Sequence, residues 1–403
     1  MDNEICKTVD ILFFGAGKMG KYWLRYCREF GIAPKAVVDN NRELCRSLCE
    51  GVMICSPDDL QDIYFERIFI TCSNWDGIYK QLLEMGVEED KIVTGRHNFL
   101  NHFLYYAVHN TVCFEKKEDL PDTSCEKKIL LDLQNGLVLG GVESWTYDLA
   151  GILKEIGWKG MYLTTDLSES VGADDTYPVY TLPYNRFERD KDRIELCVET
   201  IMENLPCTII CNFPQYTFWS ACIVKHLYSD QIKIIAIQHS DDPVYYEAYG
   251  LWRESIDKCV AVSSRIENRL LKLGMKKETV SRLGWKVNCE TTLERTWSGK
   301  GARLQIGYAG RITTAQKRAD LLPVLLGKLL ERGIDFQMNI AGTGDYGETL
   351  KERIQEEGYG LCMTLIGHID RKNISEFWRG QDIMISCSDI EGHSITQSEA
   401  MAS

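Results

Sequence analysis

The sequence lacks the Cys-x-x-Cys spacing that zinc ribbons and thioredoxin-like redox sites need, although it contains 16 cysteines. They are scattered and often sit inside apolar segments, as at Cys207, Cys211, Cys222 and Cys259. Reduced thiols in a cytoplasmic protein are the simplest account. Positive charge is in deficit: 46 Lys and Arg stand against 59 Asp and Glu, a net charge of -13. This balance argues against nucleic acid as the main partner, because phosphate binding needs a basic face, and leaves room for one locally basic patch. No apolar run is long enough to span a bilayer, and no N-terminal signal pattern is present. No Tyr-x-x-x-Lys occurs, so nothing like a reductase active site is evident. What is there is a soluble globular composition, 44% hydrophobic and 26% charged, over 403 residues, which calls for two to three domains.

The first segment, 1–100, opens with an apolar run, Thr8 to Phe14, that leads into Gly15-Ala16-Gly17-Lys18-Met19-Gly20. A helix is predicted over Lys18 to Phe30, ended by Gly31 with Pro34 beyond, and a second strand over Ala36 to Val38 ends at Asp39. Glycines at this spacing let backbone approach a diphosphate at the helix N-terminus, and the acid can accept from a ribose hydroxyl. Gly15, Gly17, Gly20 and Asp39 are thus candidates for NAD(P) or another nucleotide, against the alternative of the same fold with no ligand. Residues 101–127 are polar and turn-forming and read as a linker.

The second segment, 128–286, begins with a strand over Ile129 to Leu133, a loop with Gly136, Gly140 and Gly141, and a helix from Val142-Glu143 to Ile156. That loop either presents N–H groups to an anion or is a plain tight turn. His239 ends a strand over Lys233 to Gln238, and the carboxyl ends of strands are where open α/β sheets bind ligands. It is either a sugar contact or a histidine bonded to backbone. Asp190-Lys191-Asp192 matches Asp-x-Asp, which elsewhere holds a metal, but the alternating charges around it read as a solvated helix start, and no metal is assigned. Arg265 to Lys286 is locally basic and offers a peripheral contact with an anionic membrane surface, or an ordinary exposed helix.

A polar connector, 287–303, leads to the third segment, 304–403, where strands and helices alternate from Leu304 onward. Such alternation implies parallel sheets. Gly310-Arg311 follows the first strand, and Lys317 follows Arg311 by six positions. Arg supplies a planar bidentate donor to a diphosphate and Lys a mobile point charge. Gly342 and Gly344 close another strand, leaving room for a base or phosphate. Glu391 and Glu399 bracket a loop entering the final helix, and a carboxylate accepts two sugar hydroxyls at once.

Residues 129–403 resemble the family-4 retaining glycosyltransferases of GT-B architecture. The resemblance rests on Gly140-Gly141-Val142-Glu143, Ala261-Val262-Ser263-Ser264, Gly310-Arg311, Lys317, Ala341-Gly342-Thr343-Gly344 and EGHSITQSEAMA from Glu391. The first segment resembles small Rossmann modules of polysaccharide-biosynthesis proteins, through FGAGKMGKYWL and AVVDNN. The resemblance implies an α/β fold of three Rossmann-like units, the last two forming a two-domain cleft and the last incomplete. It implies that Arg311 and Lys317 bind the donor diphosphate, Glu391 the donor sugar and Glu399 the ribose. Gly140 and Gly141 would face the cleft, and His239 would touch the transferred sugar. The implied reaction moves a hexose, without metal or other cofactor, from a nucleoside diphosphate sugar to a glycan or lipid-linked acceptor in surface polysaccharide biosynthesis, in the cytoplasm or at the inner membrane face. Two alternatives stand beside it: an NAD(P)-dependent oxidoreductase centred on Gly15 to Asp39, and a non-catalytic nucleotide-sugar-binding protein.

Overall fold

The computed structural model describes residues 6–111, 114, 116, 128–133, 140–165, 175–284, 298–299 and 301–403. Gly136, Lys286 and most of the expected linker and connector lie outside them. The chain divides into two compact units. One comprises Met1–Gln238, Pro243–Val260 and Asn268–Ser281; the other comprises His239–Asp242, Ala261–Glu267 and Arg282–Ser403. Strands and helices alternate as the sequence implies, in three sheets.

The first unit opens with β1 (Lys7–Phe14), α1 (Lys18–Glu29), β2 (Ile32–Val38), β3 (Leu48–Cys49), β4 (Val52–Cys55), β5 (Arg67–Ile70), α2 (Trp75–Glu84), β6 (Ile92–Val93) and α3 (Arg96–Asn110). The strands form a sheet in the order β3-β4-β2-β1-β5-β6. β1 runs parallel to β2 and β5, and β3 and β4 are an antiparallel hairpin. Side chains alternate across β1. Leu12 and Phe14 join Val38, Ile68 and Ile70 and the α2 residues Ile78 and Leu82 in one apolar cluster. Phe13 lies 5.8 Å from Phe103 of α3, within an aromatic layer that includes Trp23 and Phe99. Pro34 does not merely follow the first helix but lies inside β2, opposite Val9, where the β1 ladder shifts register.

α3 corrects the expected linker, whose first ten residues are helix. Its sequence, RHNFLNHFLYYAVHN, has no polar stripe because it is buried on both sides. Asn101 Oδ1 accepts from the indole N–H groups of both Trp219 and Trp252 at 2.9 Å, and His102 Nε2 lies 3.0 Å from Glu247. Trp219 and Glu247 belong to the next sheet's helices, and Trp252 directly follows one of them. The segments 1–100 and 128–286, expected to be separate domains, are therefore one compact unit, apart from the short pieces near 240 and 265 that join the other.

That next part comprises β7 (Lys128–Asp132), α4 (Gly141–Glu155), β8 (Lys159–Thr164), β9 (Val179–Thr181), α5 (Asp190–Met202), β10 (Cys207–Cys211), α6 (Tyr216–Leu227), β11 (Ile232–Gln238), α7 (Pro243–Leu251), β12 (Lys258–Ala261), α8 (Ser264–Lys272) and β13 (Val280–Arg282). The order is β13-β12-β11-β10-β7-β8-β9.

The second unit is built on β14 (Leu304–Ala309), α9 (Leu321–Glu331), β15 (Phe336–Ala341), α10 (Gly347–Glu356), β16 (Met363–Gly367), α11 (Ile374–Arg379), β17 (Ile383–Met384) and α12 (Ile395–Ala402). The sheet, ordered β16-β15-β14-β17, pairs in parallel throughout. One cluster joins Ile306, Met338 and Ile340 to Leu322 and Leu326 of α9 and Leu350 of α10. Another sets Trp378 of α11 against Ala309 and Ala341. Helices thus cover both faces and leave the strand ends to carry chemistry.

Candidate functional site

In the second unit the loops after β14 and β15 lie backbone to backbone. Gly310 N–H donates to Ala341 O at 3.0 Å, Ile312 N–H to Thr343 O at 2.9 Å, and Tyr346 N–H to Ile312 O at 3.0 Å. Gly342 has φ +134, and a Cβ there would collide with Gly310 O; one on Gly344 would collide with Ile312 O. The side on which a Cβ would stand is occupied at both glycines by the neighbouring loop. Their role in this structure is to let two loops touch.

That packing holds Arg311, whose carbonyl also accepts from the Tyr308 hydroxyl at 2.9 Å. Tyr308 is buried, and burial first, with Cys387 and Glu391 nearby, pushes its pKa up to about 12, so it stays a neutral donor. The Arg311 guanidinium donates to Gln316 Oε1 at 2.7 Å, and Gln316 Nε2 donates to Ile390 O at 3.0 Å. Lys317 forms an ion pair with Glu391. Arg318, at φ +48, forks onto Asp320 and reaches Asp389 at 3.2 Å. The Arg311–Lys317 loop and the Glu391 loop are therefore joined at several points.

α12 starts at Ile395, capped by Ser394, whose hydroxyl accepts from Gln397 N–H at 3.3 Å. Glu399 does not open this helix but sits in its second turn, while Glu391 stands in the loop before it. The two glutamates are thus held by different means. A Cβ on Gly392 would collide with the carbonyl of His239, which clusters with this unit. Burial pushes the His239 pKa down to about 3, which keeps the imidazole neutral at pH 7. Next to it, Asp241 pairs with Arg265 at 2.8 Å.

The remaining candidates lie in the first unit. Gly140 caps α4, and its missing Cβ makes room for the buried carboxylate of Glu143; Gly141 is the first residue of α4. In the N-terminal loop Gly15 has φ +121 and a Cβ on Gly20 would collide with Gly15 O, whereas Gly17 faces open space. Asp39 is already engaged: Oδ2 accepts from Ala16 N–H at 2.7 Å and Oδ1 from Asn41 N–H at 2.8 Å. These bonds fasten the glycine loop to the end of β2, and each carboxylate oxygen keeps a second lone pair.

Asp190 overturns the solvated reading of its charge run. It is 1% exposed and accepts from the hydroxyls of Tyr26 and Tyr216, from Arg96 at 2.8 Å and from Arg193 at 3.1 Å. Its neighbour Asp192 pairs with Arg189 at 2.6 Å. Among the described residues no cluster of three or more His, Cys, Asp or Glu is placed to hold a metal ion, and no helix is long and apolar enough to cross a membrane. Of the basic stretch, Arg265, Arg269, Lys272, Lys276, Lys277 and Arg282 are exposed, with Arg269 over the Tyr246 ring at 5.6 Å.

The structure thus gathers Arg311, Lys317, Glu391 and Gly310 in one place. Sequence reasoning missed Gln316, Arg318 and Asp389, which hold that place together. The only signal for Gln316 was its position between two cations already singled out.

Two family models match. Residues 8–93 match the family described as C2185-like, N-terminal, and residues 293–403 match glycosyl transferases group 1. No curated protein matches the sequence. Among solved structures, the lipopolysaccharide outer core galactosyltransferase WaaB in its apo form is 17% identical, over 68% of this chain and 78% of that one, with a TM-score of 0.54. A glycosyltransferase from Rickettsia africae is 20% identical over 69% and 77%, with a TM-score of 0.53. Anabaena HepE, in complex with UDP and glucose, is 15% identical over 69% and 78%, with a TM-score of 0.53. The fold is accordingly the α/β fold of GT-B glycosyltransferases.

Proposed function

We propose that the chain is a retaining glycosyltransferase that moves a hexose from a nucleoside diphosphate sugar to a glycan or lipid-linked acceptor. The observation that carries this reading is the meeting of Arg311, Lys317 and Glu391 at adjacent strand ends in the group 1 domain. HepE, which has the same fold, holds UDP and glucose, and this supports a nucleotide-sugar donor.

The geometry suggests an order of events. Without donor, Lys317 and Glu391 neutralise each other. An arriving diphosphate offers Lys317 a more highly charged partner, and Glu391 is released to accept sugar hydroxyls. As the bond from the anomeric carbon to the diphosphate oxygen breaks, charge grows on the phosphates where Arg311 and Lys317 are already fixed, which is the form of stabilisation that speeds reaction. The carbon passes through an oxocarbenium-like state. The acceptor oxygen bonds to it on the face the diphosphate leaves, and the acceptor proton departs with the diphosphate. Two fixed cations take the part a divalent metal would otherwise play.

A role in surface polysaccharide assembly at the inner membrane face fits the exposed cations from Arg265 to Arg282 in a chain of net charge -13. Steady-state turnover of UDP-, GDP- and ADP-hexoses tests the proposal. Arg311→Ala and Lys317→Ala should each lower turnover by about 100-fold or more. Unchanged turnover in either variant refutes it.

A further inference from the structure

We infer that Gln316 is a positioning residue that sets the Arg311 guanidinium and the Glu391 loop in register. The inference rests on the donor site proposed above. Gln316 reaches across at three points. Its Oε1 accepts from Arg311 Nη2 at 2.7 Å, its Nε2 donates to Ile390 O at 3.0 Å, and its main-chain carbonyl accepts from Asp389 N–H at 3.0 Å. Arginine has only donors and a peptide carbonyl only accepts, so the amide has one workable orientation. No other neutral side chain of this length can accept at one end and donate at the other.

The two loops leave β14 and β17, which are neighbours in the sheet but far apart in sequence. One contains both cations, the other Glu391. Gln316 ties them with no charge of its own, so it leaves the positive charge of Arg311 intact for a diphosphate. It uses one of the five guanidinium N–H groups and thereby fixes the plane of the fork. Arg318 supports the same junction from the next position, holding Asp389 at 3.2 Å and Asp320 at 3.1 Å.

The chemistry makes an unusual ordering testable. Gln316→Glu is nearly isosteric, but its carboxylate would neutralise Arg311 and face the Ile390 carbonyl without a proton to give. Gln316→Leu merely releases both partners. Donor kcat/KM should fall by roughly 10- to 100-fold in Gln316→Glu and by about 3- to 10-fold in Gln316→Leu. If Gln316 served packing alone, the order would reverse, with Glu closest to wild type. The experiment measures donor turnover with UDP-, GDP- and ADP-glucose on the full chain, the two Gln316 variants and Lys317→Ala, with melting curves showing each folded. Loss in Lys317→Ala together with Glu below Leu is the expected result. Loss in Lys317→Ala with Gln316→Glu at or above Gln316→Leu overturns the positioning role alone. No turnover by wild type, or none lost in Lys317→Ala, overturns the donor reading and this inference with it.

Discussion

Replacing Asp190 by alanine removes a carboxylate to which four donors converge from four helices: Tyr26 of α1, Arg96 of α3, Arg193 of α5 itself and Tyr216 of α6. A hydrogen bond to a charged group contributes about 1.5–3 kcal/mol. The Arg96 side chain is 62% exposed, so its share is discounted for solvent screening. The two tyrosines are the larger loss, because their hydroxyls would remain inside the protein without an acceptor. Breaking a buried charge-assisted knot of this kind costs about 3–5 kcal/mol. For a unit of this size that is a fall in Tm of roughly 6–20 °C. Hydrogen exchange read by mass spectrometry at pH 7 resolves where the loss falls. Asp190→Ala should speed exchange in α1 and α3 and in α5 and α6 together, because the knot joins the two sheets of the first unit. Acidity supplies an internal control. Burial would raise the Asp190 pKa, but hydrogen bonds from Tyr216, Tyr26 and Arg96 outweigh it and hold the carboxyl below its usual range. A depressed folded pKa gives stability that is present above the unfolded value of about 3.9 and lost as pH falls through the folded one. The gap between wild type and Asp190→Asn should therefore close below about pH 4. A stability change under about 1 kcal/mol, or faster exchange on one sheet only, would mean that Asp190 does not tie the two sheets together.

Two further outcomes follow from the same structure. Gly20→Ala should destabilise the first unit by about 2–3 kcal/mol, because its Cβ meets Gly15 O, while Gly17→Ala, facing open space, should stay within about 0.5 kcal/mol in urea unfolding. His239 is held neutral by burial, with a pKa near 3, so the unfolded state binds the extra proton as pH falls. Stability should be full above the unfolded value of about 6.5 and then drop by about 1.4 kcal/mol per pH unit, a slope that calorimetry should find missing in His239→Gln.

The strand–glycine–helix start of the chain and the alternating third segment were legible because each has a clear period and clear stops at glycine. β14 begins and ends where the sequence places it, and α1 ends within one residue of the expected point. α3 was not legible. A helix buried on both sides shows no amphipathic stripe, and its polar partner Asn101 answers indoles 118 and 151 positions away. Asp190 hid in a charge run for the same reason, since one of its donors, Tyr26, lies 164 positions away. Arg311, Lys317 and Glu391 stand out in the sequence by type and spacing, and the structure sets them in loops that touch. Gln316 does not stand out, because a glutamine's value as a two-ended bridge exists only once both ends have been folded into place. At Gly342 and Gly344 the structure adds a reason that the sequence does not show, the close approach of the loop after β14.

The proposed diphosphate-sugar site consists of Arg311, Lys317 and Glu391. Its test is calorimetric titration of the full chain with UDP, GDP and ADP and their monophosphates, repeated on Lys317→Ala. One nucleoside diphosphate should bind at least about 10-fold tighter than its monophosphate, and Lys317→Ala should abolish the difference. Equal affinity for the two, or an undiminished preference in Lys317→Ala, would contradict it.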